Sequence, residues 1–216
     1  MNDELRQPQE NKAMAETKFM YISLIHYPVL ALGPGKRAGV WTQGCSIRCP
    51  GCMSHHTWDF TKESGTTLAS IKNSLKMFRI DGAEGLTLSG GEPFDQPEAL
   101  YALLKSARKT GYNDILIYSG YKYDAIKERH DKILELTDVL IDGPFIHGEE
   151  TRSLWKGSEN QRMVMLSKDA VIRRKYLSYM RRRGKRNIQV TEKDGGIFII
   201  GITDQADTNA LSSLFI

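Results

Sequence analysis

The chain has 216 residues, a formal charge of +4, 40% hydrophobic and 26% charged residues, which suits one sizeable globular core and leaves little room for two independent catalytic domains. No apolar run approaches membrane-spanning length and the N-terminus lacks the apolar core of a signal peptide, so the expectation is a cytoplasmic protein with no membrane association. The mild positive charge permits acidic partners without demanding them.

In chain order, residues 1–17 are polar and aperiodic, which predicts a disordered N-terminal arm. Phe19 to His26 is β-prone and reads as a strand; the Gly33-Pro-Gly35 punctuation makes a loop, and Arg37 to Thr42 gives a second strand. Leu68, Ile71, Leu75 and Phe78 recur at helical spacing within Thr67 to Phe78. Strand Leu86 to Leu88 follows, then a helix over Gln96 to Thr110 with Pro97 at its tolerated early position. Asp114 to Tyr118 reads as a buried strand, Tyr123 to Glu135 as a helix, and Val139 to Ile141 as another strand. A polar loop from Ile146 leads to strand Arg162 to Leu166. Asp169 to Met180 has helical periodicity, and a hairpin of Ile188 to Val190 with Ile197 to Ile200 ends the pattern.

Strands alternating with helices predict βα units, a parallel sheet and right-handed crossovers. The division expected is an arm over 1–17, a single α/β domain over 18–202 whose C-terminal helix and hairpin begin at about 167, and a tail over 203–216. In such sheets ligands sit beyond the carboxyl ends of the strands. Four pieces fall there: the segment after Thr42, Gly90-Gly91-Glu92, Ser119-Gly120 and Asp142-Gly143.

The segment after Thr42 carries the chemistry. Cys45, Cys49 and Cys52 are the chain's three cysteines, confined to eight consecutive residues. A cubane cluster is usually held by four thiolates, so a C-x3-C-x2-C loop with no fourth cysteine leaves one iron without a thiolate ligand. An incomplete protein ligand set is the mark of an open, reactive metal site. The same cysteines with His55 or His56 also make a Cys3His zinc set, and from this loop alone both readings stand. An odd cysteine count with no sign of secretion argues against a disulfide framework. The second signal is Gly90-Gly91-Glu92 at the end of a strand. Glycines there let the backbone approach a ligand, and the adjacent carboxylate is able to accept from an ammonium group.

Together these pieces resemble the radical S-adenosylmethionine (SAM) superfamily, and within it the small activating enzymes of glycyl radical enzymes. The likeness is nearest to activators of anaerobic ribonucleotide reductase. It rests on Gly44-Cys45-x3-Cys49-Pro50-Gly51-Cys52 with Thr57-Trp58, on Leu88-Ser-Gly-Gly-Glu-Pro93, on Tyr118-Ser-Gly-Tyr121, and on Asp138-Val-Leu-Ile-Asp-Gly-Pro-Phe145 followed by Leu154-Trp-Lys-Gly-Ser-Glu-Asn-Gln161. The pieces span about residues 38 to 166, in the family's order. Gly51 stands where the wider superfamily favours an aromatic residue before the third cysteine, which narrows the likeness to the reductase activators.

The resemblance implies a partial, open parallel β/α barrel with a [4Fe-4S] cluster on Cys45, Cys49 and Cys52. It implies that SAM lies across the barrel top against Gly51, Cys52 and Met53, with Gly90, Gly91 and Glu92 at its methionine end and Ser119 as a further contact. The activity implied is reductive cleavage of SAM to methionine and a 5′-deoxyadenosyl radical that abstracts hydrogen from a glycine. This C-terminus shows no radical-loop sequence of its own. The glycine therefore belongs to a large partner, an anaerobic ribonucleotide reductase, with flavodoxin or ferredoxin as electron donor.

Two rivals differ in class. One is a radical SAM enzyme that activates another glycyl radical enzyme or modifies a peptide or small molecule. The other is a zinc or iron-sulfur module that binds nucleic acid through the basic run Arg181 to Arg186, a run that otherwise reads as a solvated helix end. Arg48 and His56 are candidates for the mouth of the site, and surface roles suit both equally well.

Overall fold

A computed structural model describes residues 18–149, 151–183, 187–193 and 195–203. The expected arm over 1–17, nearly all of the tail, and residues 184–186 of the basic run lie outside the described residues.

Seven strands form one open sheet: β1 (Phe19–Val29), β2 (Arg37–Thr42), β3 (Gly65–Thr67), β4 (Gly85–Gly90), β5 (Ile115–Tyr118), β6 (Val139–Asp142) and β7 (Arg162–Met165), in the order β3-β1-β2-β4-β5-β6-β7. The four central strands β2, β4, β5 and β6 run parallel, as the alternation of strands and helices requires. The flanks differ from an all-parallel sheet. β1 meets β2 antiparallel through the short Gly33 and Gly35 loop, and β7 returns antiparallel to β6 because the segment between them holds no crossover helix.

Three helices follow: α1 (Leu68–Ile80), α2 (Pro97–Lys109) and α3 (Tyr123–Leu134). Thr67 caps α1 by accepting from the Ser70 amide, and Pro97 opens α2 where its missing N–H is harmless. The apolar stripes Ile71 and Leu75 of α1 and Leu100, Leu103 and Leu104 of α2 bury against one face of the sheet, on Val40, Leu86, Leu88, Ile115, Ile117 and Leu140. Side chains alternate along a strand, so Leu116, Val139 and Ile141 point to the other face. There they pack with Trp155 and with Ile172, Tyr176 and Tyr179 of the final helix, α4 (Ala170–Arg181). The hairpin of β8 (Gln189–Lys193) and β9 (Gly196–Ile200) completes this second cover. Ile200 buries with Leu24, Val29 and Leu32, and the Gln189 carboxamide bonds Pro28 and the Leu30 amide.

Helix α4 is held by a buried ionic knot at the amino ends of the strands. Arg37, fully buried, donates to Asp114, to the Leu86 carbonyl and to the Thr87 hydroxyl. Tyr176 and Lys175 of α4 donate to the same Asp114 carboxylate, at 2.6 and 2.8 Å. Burial alone would raise the Asp114 carboxyl, yet the Arg37 guanidinium and the donors from α4 hold it below its ordinary value. This knot leaves the opposite, carboxyl ends of the strands to the cysteine loop.

Candidate metal centre

The cysteine loop leaves β2 directly. Gln43 and Gly44 follow Thr42, and Cys45, Cys49 and Cys52 curl over a turn in which Arg48 and Gly51 both take positive φ. The segment after the loop folds back to hold its start. Thr57 accepts from the Gly44 amide at 2.7 Å, Trp58 accepts from the Cys45 amide at 2.9 Å, and the Gln43 carboxamide bonds the carbonyls of His56 and Asp59. Gln96, at the start of α2, reaches across to the carbonyls of Tyr21 and Gln43.

Gly90-Gly91-Glu92 lies flush against the same entry. The Gly91 amide donates to Thr42 and the Glu92 amide to Gly44, each at 2.8 Å. A β-carbon on Gly90 would strike the Thr42 backbone, and one on Gly91 would strike the Gly44 carbonyl. The glycines thus answer to the close approach of two main-chain segments here, a reason the sequence did not display. The Glu92 carboxylate is 1% exposed and accepts from the Phe94 amide, the Ser119 hydroxyl and the Gly120 amide. Burial pushes this carboxyl up to about 7 against the pull of the three donors. Ser119 is likewise engaged, donating to Glu92 and accepting from the Tyr121 amide at 3.1 Å.

Three residues outside the expected set build the rest of the site. Asp95 accepts from the Ser46 amide at 2.7 Å, from the Ser46 hydroxyl at 3.0 Å and from the Tyr121 hydroxyl at 2.8 Å, pinning the loop beside Cys45. His147 lies against Gly51, where a β-carbon would meet its Nδ1 at 2.9 Å. Tyr121 sits within the Tyr118-Ser-Gly-Tyr121 motif, which was its available signal; Asp95 and His147 had none. Met53 is 43% exposed. Arg48 pairs with Asp59 at the surface, at 2.7 Å.

The paired motif near residues 142–161 has a mechanical explanation. Asn160 donates to Pro144, Gln161 to Gly143, and the Ser158 hydroxyl accepts from Ile146, so the second piece braces the turn made by the first. From that turn the Phe145 amide favours the Cys49 thiolate, against the larger effect of burial.

Burial raises all three thiols, and N–H groups oppose it: Arg48 and Ile47 at Cys45, Phe145 and its own amide at Cys49, Ser54 and the Trp58 side chain at Cys52. Sulfurs bordered by N–H donors suit thiolates that share the negative charge of an iron-sulfur cluster. Among the described residues no group of three or more His, Cys, Asp or Glu side chains is arranged to hold a single ion. A cubane asks three thiolates to reach three separate irons, and the number, loop and donor environment of these cysteines fit it.

An open βα sheet with such a loop at its carboxyl edge defines an iron-sulfur protein, and the family profile described as "4Fe-4S single cluster domain" matches residues 31–164. The chain is 34% identical over 144 residues to the anaerobic ribonucleoside-triphosphate reductase-activating protein of Escherichia coli K12, covering 63% of this chain and 93% of that protein. It is 36% identical over 147 residues to the protein of that name in Haemophilus influenzae, covering 64% and 94%. The bacteriophage T4 counterpart is 34% identical over 134 residues, covering 61% and 85%. The chain belongs to this family, the 4Fe-4S radical SAM activating proteins. The solved structure of QueE from Escherichia coli overlays 56% of this chain and 57% of that one, with a TM-score of 0.42 and 16% identity. Among the described residues, no helix is long and apolar enough to cross a membrane.

Proposed function

We propose that the protein is the activator of an anaerobic ribonucleoside-triphosphate reductase, working in the cytoplasm with flavodoxin or ferredoxin as electron donor. The observation that carries this reading is the set of three free thiols in one loop whose entry, Thr42 to Gly44, is bonded by the Gly91 and Glu92 amides. The family identity supports it.

Cys45, Cys49 and Cys52 would hold a [4Fe-4S] cluster, which with SAM bound and one electron from the donor would supply reductive cleavage of SAM and so hydrogen abstraction from a glycine of the partner. The protein's own contribution is position. Gly90 and Gly91 present main-chain atoms to the methionine end, and Gly51, Cys52 and Met53 border the cofactor. Glu92 and Ser119 act from behind, locking the ends of β4 and β5 together so that this edge keeps its shape. Asp95 and Tyr121 hold the loop beside Cys45.

Anaerobic reconstitution tests the reading. Purified protein given iron and sulfide should bind four irons, form 5′-deoxyadenosine from SAM and a reductant, and raise a glycyl radical signal on the reductase. Cys45→Ser, Cys49→Ser and Cys52→Ser should each abolish product. A colourless zinc protein, or a four-iron sample that leaves SAM intact, would overturn it. A glycyl radical on a different enzyme but not on the reductase would move the assignment to that partner.

A further inference from the structure

Past β6 the chain makes a tight turn over Ile146 to Glu149, closed by the Glu149 amide donating to the Ile146 carbonyl at 3.3 Å. Gly148 holds the third place of that turn with a φ of +86°, the left-handed conformation that a type II turn requires there. The four residues are exposed, yet both ends of the turn are anchored. The Ile146 amide donates to the buried Ser158 hydroxyl at 3.1 Å, the Glu159 amide to the Glu149 carbonyl at 3.1 Å, and the Asn160 amide to the Glu149 carboxylate at 3.1 Å. His147 is the second residue of the turn. Its ring stands on the side of Gly51 where a side chain would be: a β-carbon there would meet Nδ1 at 2.9 Å and Cγ at 3.3 Å. An imidazole from a distant turn thus takes the place of a side chain at residue 51, between two of the cysteines.

We propose that His147 is a binding residue for the adenine base of SAM, which stacks on its imidazole in the corner that the ring makes with the Gly51 backbone. This rests on the reading above, in which Gly51, Cys52 and Met53 border the cofactor and Gly90 and Gly91 take its methionine end. Gly90 closes β4, whereas the His147 turn leaves β6, two strands further along the sheet. That is about 10 Å at the usual strand spacing. The two ends of one SAM molecule fit such an edge, the amino acid at β4 and the base beyond β6. Aromatic rings hold bases through their faces, without demanding a particular hydrogen-bond pattern. The anchored turn keeps the ring in place before the ligand arrives, so little ordering is left for binding to offset.

The test is equilibrium dialysis of oxidised, four-iron protein under nitrogen against radiolabelled SAM or radiolabelled methionine, with bound ligand counted per cluster. Methionine carries the amino acid groups and no base. His147→Ala should weaken SAM by about 5- to 100-fold, the range for removing one ring from a stacked base, and leave methionine unchanged. His147→Phe keeps a ring and should bind SAM close to wild type. Unchanged SAM affinity in His147→Ala overturns the proposal. An equal loss for both ligands overturns it too, since it would mark a residue that only props the loop, and so does a phenylalanine variant as weak as the alanine one. Wild type that holds zinc, or four irons without binding SAM, would instead sink the reading of the cysteine loop itself, and this proposal with it.

Discussion

The Glu92 amide donates to the Gly44 carbonyl at 2.8 Å, so the turn that ends β4 and the residue that precedes Cys45 are one unit. Gly91 lies between them with no room for a side chain. Gly91→Ala must push the Gly44 carbonyl away and move Cys45 with it. Overpacking of this kind costs about 1–3 kcal/mol. The expected outcome is a folded protein, lowered in urea midpoint, that retains far less iron after reconstitution than wild type. Iron retention equal to wild type would show that the two segments move independently.

Glu92 should give stability a pH dependence of definite sign. Its carboxyl ordinarily titrates at 4.5 and is pushed up to about 7 in the folded chain. Between those values the folded state binds more protons than the unfolded one. The stability this group contributes is therefore fully present below 4.5 and is lost as pH rises toward about 7. Glu92→Gln should remove that slope from the metal-free protein. It should also weaken the fold by about 1–3 kcal/mol, because an amide cannot accept from Phe94, Ser119 and Gly120 at once. Urea denaturation from pH 4.5 to 8 provides the comparison, and parallel curves for the two proteins would contradict it.

At the opposite edge of the sheet, Asp114→Ala leaves the Arg37 guanidinium buried without its counter-charge. Breaking a buried pair from one side costs about 3–5 kcal/mol. Lys175→Met removes only the outer, 28%-exposed partner and should cost less than about 1 kcal/mol. Denaturant midpoints should separate the two variants clearly. Iron bound per folded molecule should be the same in both, since the knot lies away from the cysteines.

Asp95→Asn tests the brace on the loop itself. Asp95 receives the Ser46 amide and the hydroxyls of Ser46 and Tyr121. Groups that orient metal-binding residues typically influence affinity by about 10–100-fold. Iron should pass from the variant to a chelator under nitrogen correspondingly faster. Tyr121→Phe, which loses one of the three bonds, should fall between the variant and wild type.

Much of this was legible in the sequence because it depended on periodicity. Ile71 and Leu75 of α1 and the run Ile115 to Tyr118 appear where their spacing places them, and the alternation of such segments yields four parallel strands. The position of the cysteine loop at the strand ends follows from the same alternation. What stayed hidden depended on contacts between distant segments. The inward turn of the Glu92 carboxylate requires Ser119 and Gly120 to arrive beside it, 27 and 28 residues later in the chain. Likewise the bracing of the Gly143-Pro144 turn by Asn160 and Gln161 is a relation in space that no local pattern encodes. The three-residue strand β3 is too short to carry a period at all.

Helix α4 and the β8–β9 hairpin lie past residue 164, where the family match ends, and together they roof the face of the sheet that α1, α2 and α3 leave bare. With both broad sides lined by apolar packing among the described residues, the cysteine loop is left at the rim between the two covers, at the carboxyl ends of the strands.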